Sequence, residues 1–335
     1  MSPDTRALED RAIGCLLGAA VGDAAGGTLE FRPPPTLGRV DHAMTMPGGG
    51  ALRLAPGQVT DDTELALCLA DALANSDAFD IETVARAYAR WIDSSPFDIG
   101  RTTWQSLGSF RDADWSGVCE RDGYASCMKQ AAELKCSGSK ANGSLMRSAP
   151  LGIWGYNLQD DALARLAIED SSLSHPNPSC CQAVACYVIA ISSLLDRPDD
   201  RSRAFERAVS WAETHANEEV RVWLRDAREN ASVDFLSQIG FVRIAFTNAF
   251  QHLLMESSYE ETIRRTLLRG GDTDTNACIA GGLIGVACGA EAIPETMKAP
   301  VLECDTGRGR PRPDFLHPRR APELARRLLR RGAGS

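Results

Sequence analysis

No two of the chain's eleven cysteines are spaced as C-x-x-C, and the adjacent Cys180 and Cys181 have no partners at metal-ligand spacing. That pattern excludes a thiolate zinc site and a disulfide framework. Cys15, Cys68, Cys186, Cys278 and Cys288 sit in apolar runs, as small buried hydrophobes of a reducing compartment do. Nor does any apolar run approach the roughly 20 residues that a membrane-spanning helix needs. Ile13 to Val21 is apolar, but it follows Asp4, Glu9 and Asp10 and is broken by Gly14 and Gly18. It reads as a packed helix of a cytoplasmic protein and not as a signal peptide. Positive charge is also short: the net charge of −9 argues against a nucleic-acid-binding surface. Finally, β-branched runs never alternate with helical segments, which excludes a parallel sheet.

What is present is ordinary globular composition, 44% hydrophobic and 24% charged over 335 residues. Helical periodicity predicts helices near 8–25, 61–75, 81–92, 160–195 (two), 201–215, 218–229, 240–256 and 259–268, hence a compact all-α domain. Gly26-Gly27 are expected to end the first helix. Residues 32–59 read as a long Pro/Gly-rich loop and 94–118 as irregular. After Pro294 the character changes. Nine arginines and several prolines fall between Arg308 and Arg331, so residues 1–304 are expected to form the domain and 305–335 an Arg/Pro-rich extension packing on or flanking it. Residues 321–331 fit a short basic helix.

Two stretches stand out. Residues 270–285 set Asp272, Thr273, Asp274, Thr275 and Asn276 before a run of Ala, Gly, Cys, Ile and Leu. Residues 57–73 set Thr60, Asp61, Asp62, Thr63 and Glu64 before Leu65-Ala66-Leu67. Each has the form of a helix start, and Asp61 with Glu64 fits a capping box. Yet both helices are too apolar to leave their entrances in water. Unpaired carboxylates there cost several kcal/mol each unless they are neutralised by protons, by Arg or Lys, or by a metal. Converging, they form an all-oxygen cage suited to a hard cation such as Mg²⁺, Mn²⁺ or Ca²⁺. Three further features surround them: Glu30, just before Phe31-Arg32 and three prolines; the Gly/Ser/Asn loop 136–152, which offers amide N–H groups to a phosphate with Lys140 and Arg147 adding charge; and His175, between Ser174 and Pro176 at a helix boundary.

In this order, Gly22-Asp23-x-x-Gly26-x-x-x-Glu30, Thr60-Asp61-Asp62-Thr63, Asn142-Gly143-Ser144-Leu145-Met146-Arg147, Ser174-His175-Pro176 and Gly271-Asp272-Thr273-Asp274-Thr275 resemble the motifs of ADP-ribosylglycohydrolases. That family includes the dinitrogenase reductase-activating glycohydrolase and the mammalian ADP-ribosylhydrolases, and the resemblance spans roughly residues 10–290. It implies an all-α fold with a binuclear Mg²⁺ or Mn²⁺ cleft, Thr60, Asp61, Asp62, Asp272, Asp274 and Thr275 matching the metal ligands. Glu30 matches the catalytic or gating glutamate, with Asp61, Asp62 and Asp274 also expected in catalysis. Gly138, Ser139, Asn142, Gly143 and Ser144 fall in the diphosphate loop, and His175 in the loop reaching the ADP-ribose.

The expected function is metal-dependent hydrolysis of the glycosidic bond between mono-ADP-ribose and a modified protein side chain, arginine favoured, releasing ADP-ribose. A catalytically silent, ADP-ribose-binding relative and a binuclear hydrolase of another phosphoribosyl compound are the competing expectations. All six ligand types are intact, which counts against the silent relative. The expected partner is an ADP-ribosylated protein, with no membrane and no nucleic acid.

Overall fold

The computed structural model describes residues 3–197 and 200–332; positions 1, 2, 198, 199 and 333–335, which include the outer ends of both expected divisions, lie outside it. Among the described residues there is no strand, only isolated bridges Gly49–Leu54 and Ala141–Phe241. In chain order the helices are α1 (Pro3–Gly27), α2 (Leu37–Ala43), α3 (Asp61–Ala74), α4 (Ile81–Asp93), α5 (Arg101–Leu107) and α6 (Ala113–Asp122). There follow α7 (Tyr124–Cys136), α8 (Ala149–Trp154), α9 (Asp160–Ser172), α10 (Pro178–Asp196), α11 (Arg201–His215) and α12 (Glu218–Arg228). The last are α13 (Val242–Leu254), α14 (Tyr259–Leu268), α15 (Thr273–Cys288), α16 (Glu295–Leu302) and α17 (Ala321–Gly332).

α1 and α15 form the central pair. Gly14, Gly18, Gly22 and Gly26 recur every four residues on α1, so they share one face. A Cβ on Gly22 would lie 2.1 Å from the Ala277 carbonyl oxygen, and one on Gly26 would lie 2.3 Å from that of Thr273. Gly281 and Gly285 answer from α15. The glycine seam therefore lets two backbones touch, at a propensity cost of roughly 0.5–1 kcal/mol per mid-helix glycine. Gly26-Gly27 end the first helix as expected, Gly26 packed on the start of α15 and Gly27 against Leu54 and Thr60. Tyr259 Oη donates to Gly18 O at 2.6 Å and Tyr187 Oη to Ile279 O at 2.8 Å, tying α14 and α10 to the pair.

Other expectations shift. Residues 94–118 carry α5 and the start of α6, and the 32–59 loop contains α2. These helices are short or largely exposed, so they lack the long apolar stripe that periodicity detects. On α4, Val84, Tyr88, Trp91 and Ile92 are buried as that stripe predicts, and Asp80 caps it by accepting from the Glu82 and Thr83 N–H groups. α10 has a mean hydropathy of 1.6 over its most apolar window, long and apolar enough to span a membrane, contrary to the sequence reading. It is instead a core helix, buried over 89% of that window. α17 packs on α1, α3 and α8, with Leu324, Ala325, Leu328 and Leu329 in the main core.

Candidate active site

The seam on α1 and α15 ends where the acidic residues begin. Asp23, fully buried on α1, accepts hydrogen bonds from Thr60 N–H (3.0 Å), Thr60 Oγ1 (2.9 Å), Thr63 N–H (3.1 Å) and Thr63 Oγ1 (2.5 Å). A residue from another helix thus caps α3. The capping box expected from Asp61 and Glu64 does not form: the Asp61 carboxylate is free to face the cleft, and Glu64 pairs elsewhere. Asp272 likewise makes no side-chain cap on α15.

The two stretches meet. Thr275 Oγ1 donates to Asp62 Oδ2 at 3.4 Å, and Thr60 Oγ1 lies 2.9 Å from the same oxygen, although Asp62 and Thr275 are 213 positions apart. Glu30, Asp61, Asp98, Asp272, Asp274 and Thr275 line one cavity of about 390 Å³. Carboxylate oxygens of Glu30, Asp98 and Asp274 lie within 4.8 Å of one another. Thr60 and Asp62 are buried behind this wall. Asn142 Nδ2 donates to Asp272 Oδ2 at 2.8 Å and ties the Gly/Ser/Asn loop to the α15 entrance.

Among the described residues no ion pair neutralises these carboxylates. Burial, reinforced by the neighbouring acids, raises Asp61, Asp62 and Asp274 well above the usual carboxylate range. Burial pushes Glu30 up to about 8 and Asp23 up to about 6, the latter against four hydrogen bonds from Thr60 and Thr63. Asp62 Oδ1 and Glu30 Oε2 are buried with no hydrogen-bond partner. Orphaned carboxylate oxygens among oxygen-only donors are what a hard divalent cation satisfies, so the residues present fit such an ion.

On the other side of the cavity lie Ser139, Asn142, Gly143 and His175. His175 is buried, its Nδ1 bonded to Ser174 Oγ at 2.8 Å, and burial with the nearby Arg147 charge lowers it to about 3. It is therefore a neutral imidazole. A Cβ on Gly143 would lie 2.9 Å from His175 Cε1, so glycine is what lets the loop pass the ring. Ser139 and Asn142 N–H groups already donate to Cys136 and Gly240 carbonyls, which leaves Ala141 and Gly143 as the lining residues of this loop with no backbone N–H bond among the described residues.

Four sequence expectations fail here. Gly138 is exposed and lines a neighbouring hollow. Ser144 turns inward to accept from Ser171 Oγ at 2.9 Å. Lys140 is paired with Glu219 at 2.6 Å, and Arg147 is wholly buried against Asp170. Neither cation faces the cavity; the arginine that does line it is Arg101, beside Thr102, Thr103 and Asp98. These four carry no sequence signal because they sit around the short α5, whose surroundings show no apolar run.

The chain is similar to known proteins over most of its length. An ADP-ribosylarginine hydrolase of Pseudomonas putida (strain GB-1) is 29% identical over 85% of this chain and 72% of its own. The ADP-ribosyl-[dinitrogen reductase] glycohydrolase of Rhodospirillum rubrum is 26% identical over 86% of this chain and 88% of its own. A solved structure described as an ADP-ribosylglycohydrolase-related protein complex superposes with a TM-score of 0.75 at 26% identity, covering 98% of this chain and 99% of that one. The model of the family described as ADP-ribosylglycohydrolase matches residues 4–334, almost the whole sequence. With that match spanning every helix that lines the acidic cavity, the chain belongs to the ADP-ribosylglycohydrolase family.

Proposed function

We propose that the chain hydrolyses the glycosidic bond between mono-ADP-ribose and a protein side chain, arginine first among acceptors, and releases ADP-ribose. The observation that carries the reading is the unneutralised carboxylate cluster facing a neutral histidine and open amides across one cavity. The acid side suits a metal-assisted sugar site, the amide side a diphosphate. Relatives named for ADP-ribosylarginine and for ADP-ribosylated dinitrogen reductase support the substrate class. Eleven free thiols, most of them buried, support a reducing, cytoplasmic setting.

Thr60, Asp61, Asp62, Asp272, Asp274 and Thr275 are the residues that would hold two Mg²⁺ or Mn²⁺ ions. When bound, such ions supply Lewis acidity at ribose hydroxyls and at water. The reaction forms a bond from a water oxygen to the anomeric carbon, breaks the carbon–nitrogen bond to the guanidine, and returns a proton to the leaving nitrogen. An oxocarbenium-like transition state is expected for this cleavage. With its carboxyl drawn back down by the charge that bound cations would supply, Glu30, whose Oε2 is buried and unpartnered, would accept the proton of the attacking water. Asp98 faces the departing guanidinium as its counter-charge. His175 offers a neutral ring nitrogen to the ribose, and the Ala141 and Gly143 amides hold the diphosphate, fixing the sugar by remote binding energy.

The test is release of ADP-ribose from arginine- and serine-modified proteins in Mg²⁺ and in EDTA. Release that EDTA and Asp61→Asn both abolish supports the reading. Tight ADP-ribose binding without release from either acceptor contradicts it.

A further inference from the structure

Arg312 lies in the Arg/Pro-rich extension, and its side chain is only 4% exposed. Its Nε and Nη2 donate to the two oxygens of Glu64 at 2.7 and 2.8 Å. Its Nη1 donates to the carbonyls of Ser94 and Ser95 at 2.9 and 3.1 Å, and Nη2 also reaches Ser94 Oγ. Glu64 sits in the first turn of α3, one turn from Asp61; Ser94 and Ser95 open the segment that runs to Asp98 and Arg101. Ser95 holds a left-handed backbone (φ 57°), so this turn needs fixing from outside.

The neighbouring residues do the same to a third wall. Arg310 Nε donates to Leu52 O at 2.7 Å, and Arg310 N–H donates to Gln58 Oε1 at 3.0 Å; Gln58 Nε2 returns a bond to Arg310 O. Gly309, at positive φ, passes Ala55 so closely that a Cβ would stand 2.2 Å from its nitrogen. The run into Thr60 is thereby held as well.

We infer that Arg312 is a positioning residue for the cleavage: by joining Glu64 to the Ser94–Ser95 carbonyls it sets the spacing between the Asp61–Asp62 wall and the Asp98 wall of the cavity. This rests on the function proposed above. A planar guanidinium is needed because five donors must serve a carboxylate and two carbonyls at once, a geometry that an ammonium does not reproduce. The amide side of the cavity is built on other elements, so substrate binding should survive when catalysis does not.

The experiment uses the full chain with Arg312→Lys, Glu64→Gln and, as a control, Arg331→Ala, an exposed arginine. For each, kcat and KM for ADP-ribosyl-arginine protein are measured below the melting temperature, together with Mn²⁺ affinity by calorimetry. We expect Arg312→Lys and Glu64→Gln to lose about 10- to 100-fold in kcat, the loss expected of roughly 1 Å of misplacement. KM should hold within about twofold on the same argument, since the remote contacts are untouched. Mn²⁺ affinity should fall in both variants and be unchanged in Arg331→Ala. Variants that melt lower yet keep wild-type kcat and Mn²⁺ affinity overturn the inference and leave Arg312 structural. A wild-type chain that neither binds Mn²⁺ nor releases ADP-ribose overturns the proposed function instead.

Discussion

Within a single turn of α3, Glu64 and Asp61–Asp62 meet opposite fates. Glu64 is 2% exposed and has Arg312 across it; Asp62 is 1% exposed and has no cation among the described residues. Burial raises both carboxyls, but at Glu64 the arginine and the Trp91 indole N–H oppose the rise, whereas at Asp62 the neighbouring acids Asp23, Asp61 and Asp272 add to it. The same helix thus shows that the chain supplies a buried counter-ion where the carboxylate is structural. Arg147 with Asp170 makes the point again, both side chains at 0% exposure. Withholding a counter-ion from the Asp61, Asp62, Asp274 and Glu30 group, in a fold that provides one elsewhere, leaves the negative charge for something that binds.

The largest effect that sharpens this contrast is on activity. Asp61→Asn or Asp274→Asn should lower ADP-ribose release by about 10³-fold, equivalent to roughly 4 kcal/mol of barrier. Next comes stability on the paired side. Arg147→Met leaves Asp170 buried with only the Tyr88 hydroxyl and should cost about 3–5 kcal/mol in urea melts. On the unpaired side the sign reverses. In EDTA, Asp62→Asn removes an uncompensated acid and should stabilise the metal-free chain by roughly 1–3 kcal/mol, whereas Glu64→Gln should destabilise it. If both variants melt lower by similar amounts, the contrast between the two carboxylates is wrong.

The effect that is smallest near neutral pH is that of protonation. Burial lowers His175 to about 3 and His252 to about 4, below the usual 6.5. Between those values and 6.5 the unfolded chain binds more protons than the folded one. Stability contributed by the neutral rings is therefore present above 6.5 and lost as pH falls, by up to ~1.4 kcal/mol per pH unit for each histidine. Imidazole NMR signals of His175 that titrate between pH 5 and 7 in the folded protein would contradict this.

How much of this was legible depended on whether a residue's neighbours in sequence are also its neighbours in space. The helices of the core announce themselves through periodic Val, Leu and Ile. The two acidic stretches announce themselves because a hydroxyl–carboxylate cluster before an oily helix is locally inconsistent. The capping role of Asp23 was hidden, since an acid within a helix carries no such signal; only the fold reveals it as the cap of α3. Arg312 was hidden by composition, because an Arg/Pro-rich segment looks solvated until its one inserted side chain is seen. The packing role of Gly14, Gly18 and Gly22 was hidden because their partners, Gly285, Gly281 and Ala277, lie more than 250 positions away. Lys140 and Arg147 were assigned to a phosphate by charge alone, when Glu219 and Asp170 already claim them.

The most direct measurement is Mn²⁺ binding to the full chain by calorimetry. The account predicts saturation at two ions per chain, with the binding lost in Asp274→Asn and Asp61→Asn and kept in Arg147→Met below its melting point. Absence of saturable binding in the wild-type chain, or binding indifferent to both aspartate substitutions, would contradict it.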